Sequence, residues 1–148
     1  VFINSWWNLT PASLEKNLEM YTMVWNEVFK NRNLDIINEE YFDKDVVAVA
    51  TSAGDIAGIE NFKAYYGNYI TGFSDGELIF VDLFGQGDKM VKHWRFKGTH
   101  DGDFFGVPAT NKKVDVSGTT LIKMKDGKIV AEQDFMDFLS FYTQLGLM

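Results

Sequence analysis

Residues Val114 to Gly146 read VDVSGTTLIKMKDGKIVAEQDFMDFLSFYTQLG. Two β-rich runs flank Asp126-Gly127, and a short helical tail follows. Asp-Gly between such runs signals a hairpin, because a type I′ turn needs φ > 0 at both central residues. A two-residue loop pairs Lys125 with Lys128, Ile122 with Ala131, Thr120 with Gln133, Gly118 with Phe135 and Val116 with Asp137. Side chains alternate along each strand, so the pairs sort into two faces. One face carries Val116, Gly118, Thr120, Ile122 and Met124 with Ile129, Ala131, Gln133, Phe135 and Asp137. The other carries Asp115, Ser117, Thr119, Leu121 and Lys123 with Val130, Glu132, Asp134 and Met136. The first face is the more apolar and is expected to look inward. Its polar members, Thr120, Gln133 and Asp137, lie toward one end. Burial on such a face favours the protonated carboxyl, which suits Asp137 to general acid/base work. The competing role for Asp137 is the cap of the final helix. Asp134 falls on the opposite face, and a bulge would turn it inward.

Upstream, the periodicity is first helical and then β. Val1 to Leu9 lacks helical rhythm and is expected to be an arm packed on the domain. Thr10-Pro11 is expected to open a helix, with Pro at the first helical position. Leu14, Leu18, Tyr21, Trp25 and Val28 then form one apolar stripe. Asn33 is expected to cap a second, shorter helix with Leu34, Ile37 and Tyr41 inward. Residues 46–50 (VVAVA) read as a buried strand, 51–55 as a loop, and 58–69 as a third helix. Glu77 to Phe84 and Lys89 to His100 read as strands, and residues 101–112 as a loop. Helices followed by strands, with one small strand between the helices, define an α+β class. An antiparallel sheet curves around helices on one side and leaves a cone with one mouth.

The 148 residues fit a single domain, 1–148, with residues 1–9 as its arm. A hydrophobic fraction of 46% with 24% charged residues indicates a soluble globular chain, and no apolar run reaches membrane-spanning length. Net charge −7 argues against nucleic acid or an anionic membrane as partner. The absence of Cys leaves the compartment open, cytoplasmic or, if an N-terminal signal has been removed, exported. Two histidines without Cys, outside any HExxH spacing, give no metal motif. Aromatics at 16% fit an aromatic core, a lined cavity or an apolar interface. Tyr21 and Trp25 on the first stripe are candidate pocket walls, as is Trp94. His100 shares strand parity with Trp94 and Phe96 and so is a candidate helper near the mouth. Phe104, in the segment Phe104 to Pro108, is a candidate lid or rim residue. Thr120, Gln133 and Phe135 complete the expected lining.

Residues 98–110 (GTHDGDFFGVPAT), Val114 to Gly118, Asp126 to Val130 (DGKIV) and Asp137 to Gly146 resemble the SnoaL-like polyketide cyclase family. That family shows GTHxGxFxGxPxTGKxVxVxG, then DGKIVExWxxxD and a final QLG. Val24 to Asn26 and Asn33 to Asp35 resemble its first helix and the segment after it, so the likeness runs over about residues 14–147. It implies an NTF2-like (cystatin-like) cone, a curved antiparallel sheet on three N-terminal helices around a deep apolar pocket, usually in a homodimer. It also implies aldol ring closure on a small hydrophobic or aromatic molecule, without cofactor or metal. The acid/base would be Asp134 or Asp137, both of which fit the motif tail, and a His often assists. This chain has Thr120 where many members have His, Gln133 where they have Trp, and no His in residues 46–51. A non-catalytic pocket for an apolar or aromatic ligand is the alternative function.

Overall fold

The computed structural model describes residues 2–148, with side chains from Ser13 onward. Helix α1 (Phe2–Lys30) buries Tyr21, Val24, Trp25 and Val28, which recur at 3–4 spacing along one face. The helix is already formed at Phe2, so Thr10-Pro11 does not open it. The packing of the expected arm, residues 1–9, lies outside the described residues. After α1, Arg32 takes φ 57° and its guanidinium donates to the carbonyls of Ile70 and Phe73, both at 2.7 Å. A cation thereby closes the C-terminal end of the next long helix.

The expected second helix is a single 3-10 turn, Leu34–Ile36. Asn33 caps it as anticipated, its side chain accepting from Asp35 N at 3.1 Å. The chain turns at once into strand β1 (Phe42–Thr51), whose Phe42, Val46 and Ala48 point into the core. The segment read as a loop forms a hairpin instead, with β2 (Gly54–Ala57) antiparallel to β1. Helix α2 (Ile59–Gly72) buries Phe62 and Tyr66. Strands β3 (Glu77–Gln86), β4 (Lys89–Thr99), β5 (Lys113–Lys125) and β6 (Lys128–Met136) follow, and α3 (Phe138–Gln144) closes the chain. The six strands lie in the order β2-β1-β6-β5-β4-β3. One pairing departs from the antiparallel expectation: β1 runs parallel to β6, because the chain returns to that edge through the whole β2–β5 excursion.

The β5–β6 hairpin turns at Asp126 and Gly127 with φ 51° and 75°, as a type I′ turn requires. Its register changes two pairs from the turn. Met124 faces Ile129, but Lys123 faces Ala131, so Val130 is an extra residue in β6. Beyond this bulge every β6 side chain lies on the face opposite to the one expected. Thr120 pairs with Asp134 and Ile122 with Glu132. Glu132 is 1% exposed, whereas Phe135 is 50% exposed. Phe135 and Gln133 therefore belong to the outer face, and Asp134 and Glu132 to the inner one. Strand β6 ends at Met136. Asp137 (φ −80°, ψ 90°) caps α3, its carboxylate accepting from Ser140 N at 3.0 Å.

Gly118 sits opposite Trp94 in the β4–β5 ladder. A Cβ there would lie 2.4 Å from Trp94 Cζ2 and 2.5 Å from the Phe135 carbonyl oxygen. The indole therefore lies across bare backbone. Two outcomes follow for thermal melts. Gly118→Ala lowers stability by about 1–3 kcal/mol through overpacking and disturbs Trp94 fluorescence. Asp137→Ala costs about 1 kcal/mol through loss of the cap and leaves Trp94 unchanged.

Candidate functional site

A cavity opens between the inner face of the sheet and helices α1, α2 and α3. Trp25, Tyr66, Tyr69, Trp94, Phe96 and Phe141 supply most of its aromatic wall, and Lys92, Glu132 and Asp134 its charged groups. The space open to the centre of a water-sized molecule is about 60 Å³, room for a few waters. A second apolar hollow adjoins it, shares Tyr65, Tyr69, Met136, Phe138 and Phe141 with the first, and is bounded by Phe104, Phe105 and Leu147.

The bulge places two carboxylates inward, and each is held by a hydroxyl of a helix. Tyr66 of α2 donates to Asp134 Oδ2 at 2.7 Å. Thr120 of β5 donates to Asp134 Oδ1 at 2.5 Å, and Trp94 Nε1 donates to Thr120 Oγ1 at 2.9 Å. Trp94, Thr120 and Asp134 thus form a hydrogen-bonded chain across β4, β5 and β6 that fixes the carboxylate's orientation. Deeper in, Tyr21 of α1 donates to Glu132 Oε1, while Glu132 Oε2 and Trp25 Nε1 have no hydrogen-bond partner among the described residues. Lys92 is 5% exposed and holds its ammonium 5.0 Å from the ring centres of Tyr21 and Trp25 and 5.5 Å from that of Phe80.

Burial dominates the ionisation of this cluster. It pushes the Glu132 carboxyl up to about 7, with the charge of Asp134 adding to the rise and the ammonium of Lys92 opposing it. Burial pushes Lys92 down from its ordinary value, against the pull of Glu132 and Asp134. Tyr21, Tyr66 and Tyr69 are raised well above the phenol range, first by burial. They remain protonated donors at neutral pH.

The candidates named from sequence separate clearly. Asp134, Trp25 and Trp94 line the cavity. Tyr21 and Thr120 stand directly behind it, bonded to Glu132 and Asp134. Phe104 borders the adjoining hollow rather than the central cavity, and is packed against Phe73, Tyr69 and Phe141. His100 is fully buried. Its Nδ1 contacts Thr110 Oγ1 at 3.0 Å and accepts from Thr110 N at 3.3 Å, and its ring lies among Phe73 and Phe104, away from the cavity lining. Asp137 is an exposed cap, and Gln133 and Phe135 belong to the outer face. Lys92, Glu132 and Tyr66 were not anticipated. Lys92 shares the strand parity of Trp94 and Phe96, so the alternation that flagged His100 also reaches it. Glu132 was hidden by the bulge. Tyr66 was visible only as one of several aromatics on its helix. Among the described residues no group of three or more His, Asp or Glu converges on a metal-sized site, and no helix is long and apolar enough to cross a membrane.

The raised Glu132 carboxyl has a consequence for stability. Between its ordinary 4.5 and about 7 the folded protein holds a proton there that the unfolded chain has released. This contribution to stability is therefore full below about pH 4.5, declines as pH rises, and is gone above about 7. Glu132→Gln should flatten the dependence of the urea midpoint on pH across that window. An unchanged slope would show that Glu132 does not carry it.

The site can be set beside known proteins. The curated aklanonic acid methyl ester cyclases DnrD of Streptomyces peucetius and DauD of Streptomyces sp. (strain C5) are each 41% identical to this chain over 49 residues. That segment is 33% of this chain, and 34% and 30% of those two, so it spans about a third of the curated relatives' length. A SnoaL-like protein from Jannaschia sp. CCS1 superimposes with a TM-score of 0.81 at 26% identity, over 90% of this chain and 94% of its own. TsrD from Streptomyces laurentii shares the fold, with a TM-score of 0.75 at 23% identity over 93% and 97% of the two chains. The family model for SnoaL-like polyketide cyclase matches residues 18–145, from the α1 stripe through the last helix. With the cone, its inward carboxylates and this end-to-end match together, the chain belongs to the SnoaL-like polyketide cyclase family.

Proposed function

We propose that the protein is a cofactor-free proton-transfer enzyme that closes a ring in a hydrophobic polycarbonyl compound, with Asp134 as acid and base. The observation that carries this reading is a carboxylate opening onto an aromatic cavity while Tyr66 and Thr120 hold both its oxygens. Such a group is oriented before substrate arrives and faces a largely aromatic wall. Asp134 would remove a proton from the carbon between two carbonyls. The released electron pair moves onto a carbonyl oxygen, and the carbon then attacks a second carbonyl of the same molecule. The new alkoxide recovers a proton, which Asp134 can return. Aklanonic acid methyl ester, named for the curated relatives, is the first substrate to test. His100, packed among phenylalanines behind the wall, enters this reading as a support for the Phe104 side of the hollow.

The homodimer expected for the family would use the outer sheet face. Phe84, Leu121 and Phe135 are each about half exposed there, and Phe84 pairs with Val91, which in turn pairs with Leu121, giving a continuous apolar row. Sedimentation of Leu121→Glu should show monomer if that row is the contact.

Deuterium exchange at the acidic carbons of hydrophobic 1,3-dicarbonyl compounds, followed by NMR alongside ring closure of the methyl ester, tests the catalytic reading. Asp134→Asn should lower both rates roughly 100-fold or more, the usual worth of a positioned acid/base, and Asp137→Asn should leave them unchanged. Undiminished rates in Asp134→Asn would remove the assignment. A wild-type protein that binds these compounds and returns them unaltered would establish the non-catalytic pocket instead.

A further inference from the structure

We propose that Lys92 is a catalytic residue of this pocket: its ammonium binds the substrate oxygen that becomes negative when Asp134 takes the proton, so the pocket selects ligands whose acidic oxygen is bound as an anion. The assignment rests on the proton-transfer reading above.

The placement of Lys92 carries the argument. It stands on β4 between Leu83 of β3 and Thr120 of β5, on the same inward face as Trp94. Its side chain lines the cavity, yet among the described residues its Nζ has neither an ion-pair nor a hydrogen-bond partner. The faces of Tyr21, Trp25 and Phe80 surround the ammonium without supplying an acceptor oxygen. An ammonium carries three donors, and Lys92 belongs to the wall of the cavity that a ligand would fill. Lysine is expensive to bury, and a cation packed by three rings yet left without an acceptor is poised to take one from outside the chain.

Charge balance is kept when the bound oxygen becomes negative as Asp134 is protonated. Before the step the cavity holds the Lys92 ammonium and the Asp134 carboxylate. When Asp134 takes a proton from carbon, its charge disappears and the same charge appears on the carbonyl oxygen, while Lys92 remains as counter-ion. The sum inside the cavity does not change, so no charge is stranded in a medium of low dielectric constant. Glu132, the other carboxyl near Lys92, is bonded to Tyr21 and lies beyond 4 Å of the ammonium, outside ion-pair range.

A small coloured phenol tests this without a known substrate. Binding of 4-nitrophenol is followed by its phenolate absorbance across a pH series, with 4-nitrotoluene as the neutral molecule of like shape, followed by tryptophan fluorescence. On the wild-type protein the bound nitrophenol should ionise at lower pH than the free one. Lys92→Met should weaken phenolate binding roughly tenfold or more, the scale of one hydrogen bond to a charged group, and should change nitrotoluene affinity less than twofold. Asp134→Asn should keep or strengthen phenolate binding, since it removes a negative charge. If Asp134→Asn still exchanges carbon protons while the phenolate shift persists, the acid/base reading fails and the Lys92 subsite stands. No binding of nitrophenol to the wild type, an ionisation unchanged on binding, or a shift retained in Lys92→Met would each overturn the Lys92 assignment; the first two need no variant to fold.

Discussion

One unpaired residue in β6 sets the polarity of the whole inner face. Val130 interrupts the ladder between Met124–Ile129 and Lys123–Ala131, and the strand beyond it turns over. Without that turn, Glu132 and Asp134 would face out and Phe135 would face in. With it, two carboxylates enter an aromatic cavity and a phenylalanine is left half exposed. A bulge adds local twist, which suits a sheet that must curve around α1 and α2. The geometry that closes the cone also delivers its acidic groups to the interior.

Those groups persist there because their neighbours supply partners. A bare carboxylate in an aromatic box would be costly. Asp134 receives hydroxyls from Tyr66 and Thr120, and Glu132 receives one from Tyr21. Lys92 offsets their charge from across β4. The two carboxyls have different surroundings. Glu132, buried deeper, is raised to about 7, and its second oxygen is unpartnered. Asp134 is nearer the cavity and bonded through both oxygens. Two acids in one cavity with different surroundings are a recurring basis for dividing proton-transfer roles.

The departures from the family pattern acquire meaning in this frame. Thr120, where many members carry His, links the Trp94 indole to Asp134 with a single hydroxyl. Gln133, where they carry Trp, lies on the outer face and leaves the cavity untouched. The bare backbone of Gly118 lets Trp94 lie flat enough to reach Thr120. A small residue, an indole and a hydroxyl on adjacent strands thus position one carboxylate.

Local signals were legible in the chain wherever the physics is local. The α1 stripe at Tyr21, Trp25 and Val28, the Asn33 cap and the positive-φ turn at Asp126-Gly127 all follow from spacing or from the chemistry of one or two residues. The α+β order and the cone followed from the succession of helical and β rhythms and from motif residues that resemble the family. Trp25, Trp94 and Asp134 were named as site candidates on those grounds. What the sequence could not reveal was non-local. The parallel pairing of β1 with β6 brings together segments some 80 residues apart. The short 51–55 segment lacked enough alternation to read as strand. The bulge at Val130 carries no residue signature, because Val130 keeps a backbone conformation open to any side chain. It inverted the faces of Gln133, Asp134 and Phe135 as first paired, while Asp137, beyond the end of β6, caps α3. Sequence alone therefore determined most of the elements and the acidic hairpin tail; the tertiary structure decided which acid looks inward, because one slipped residue in a period-two strand exchanges every face beyond it.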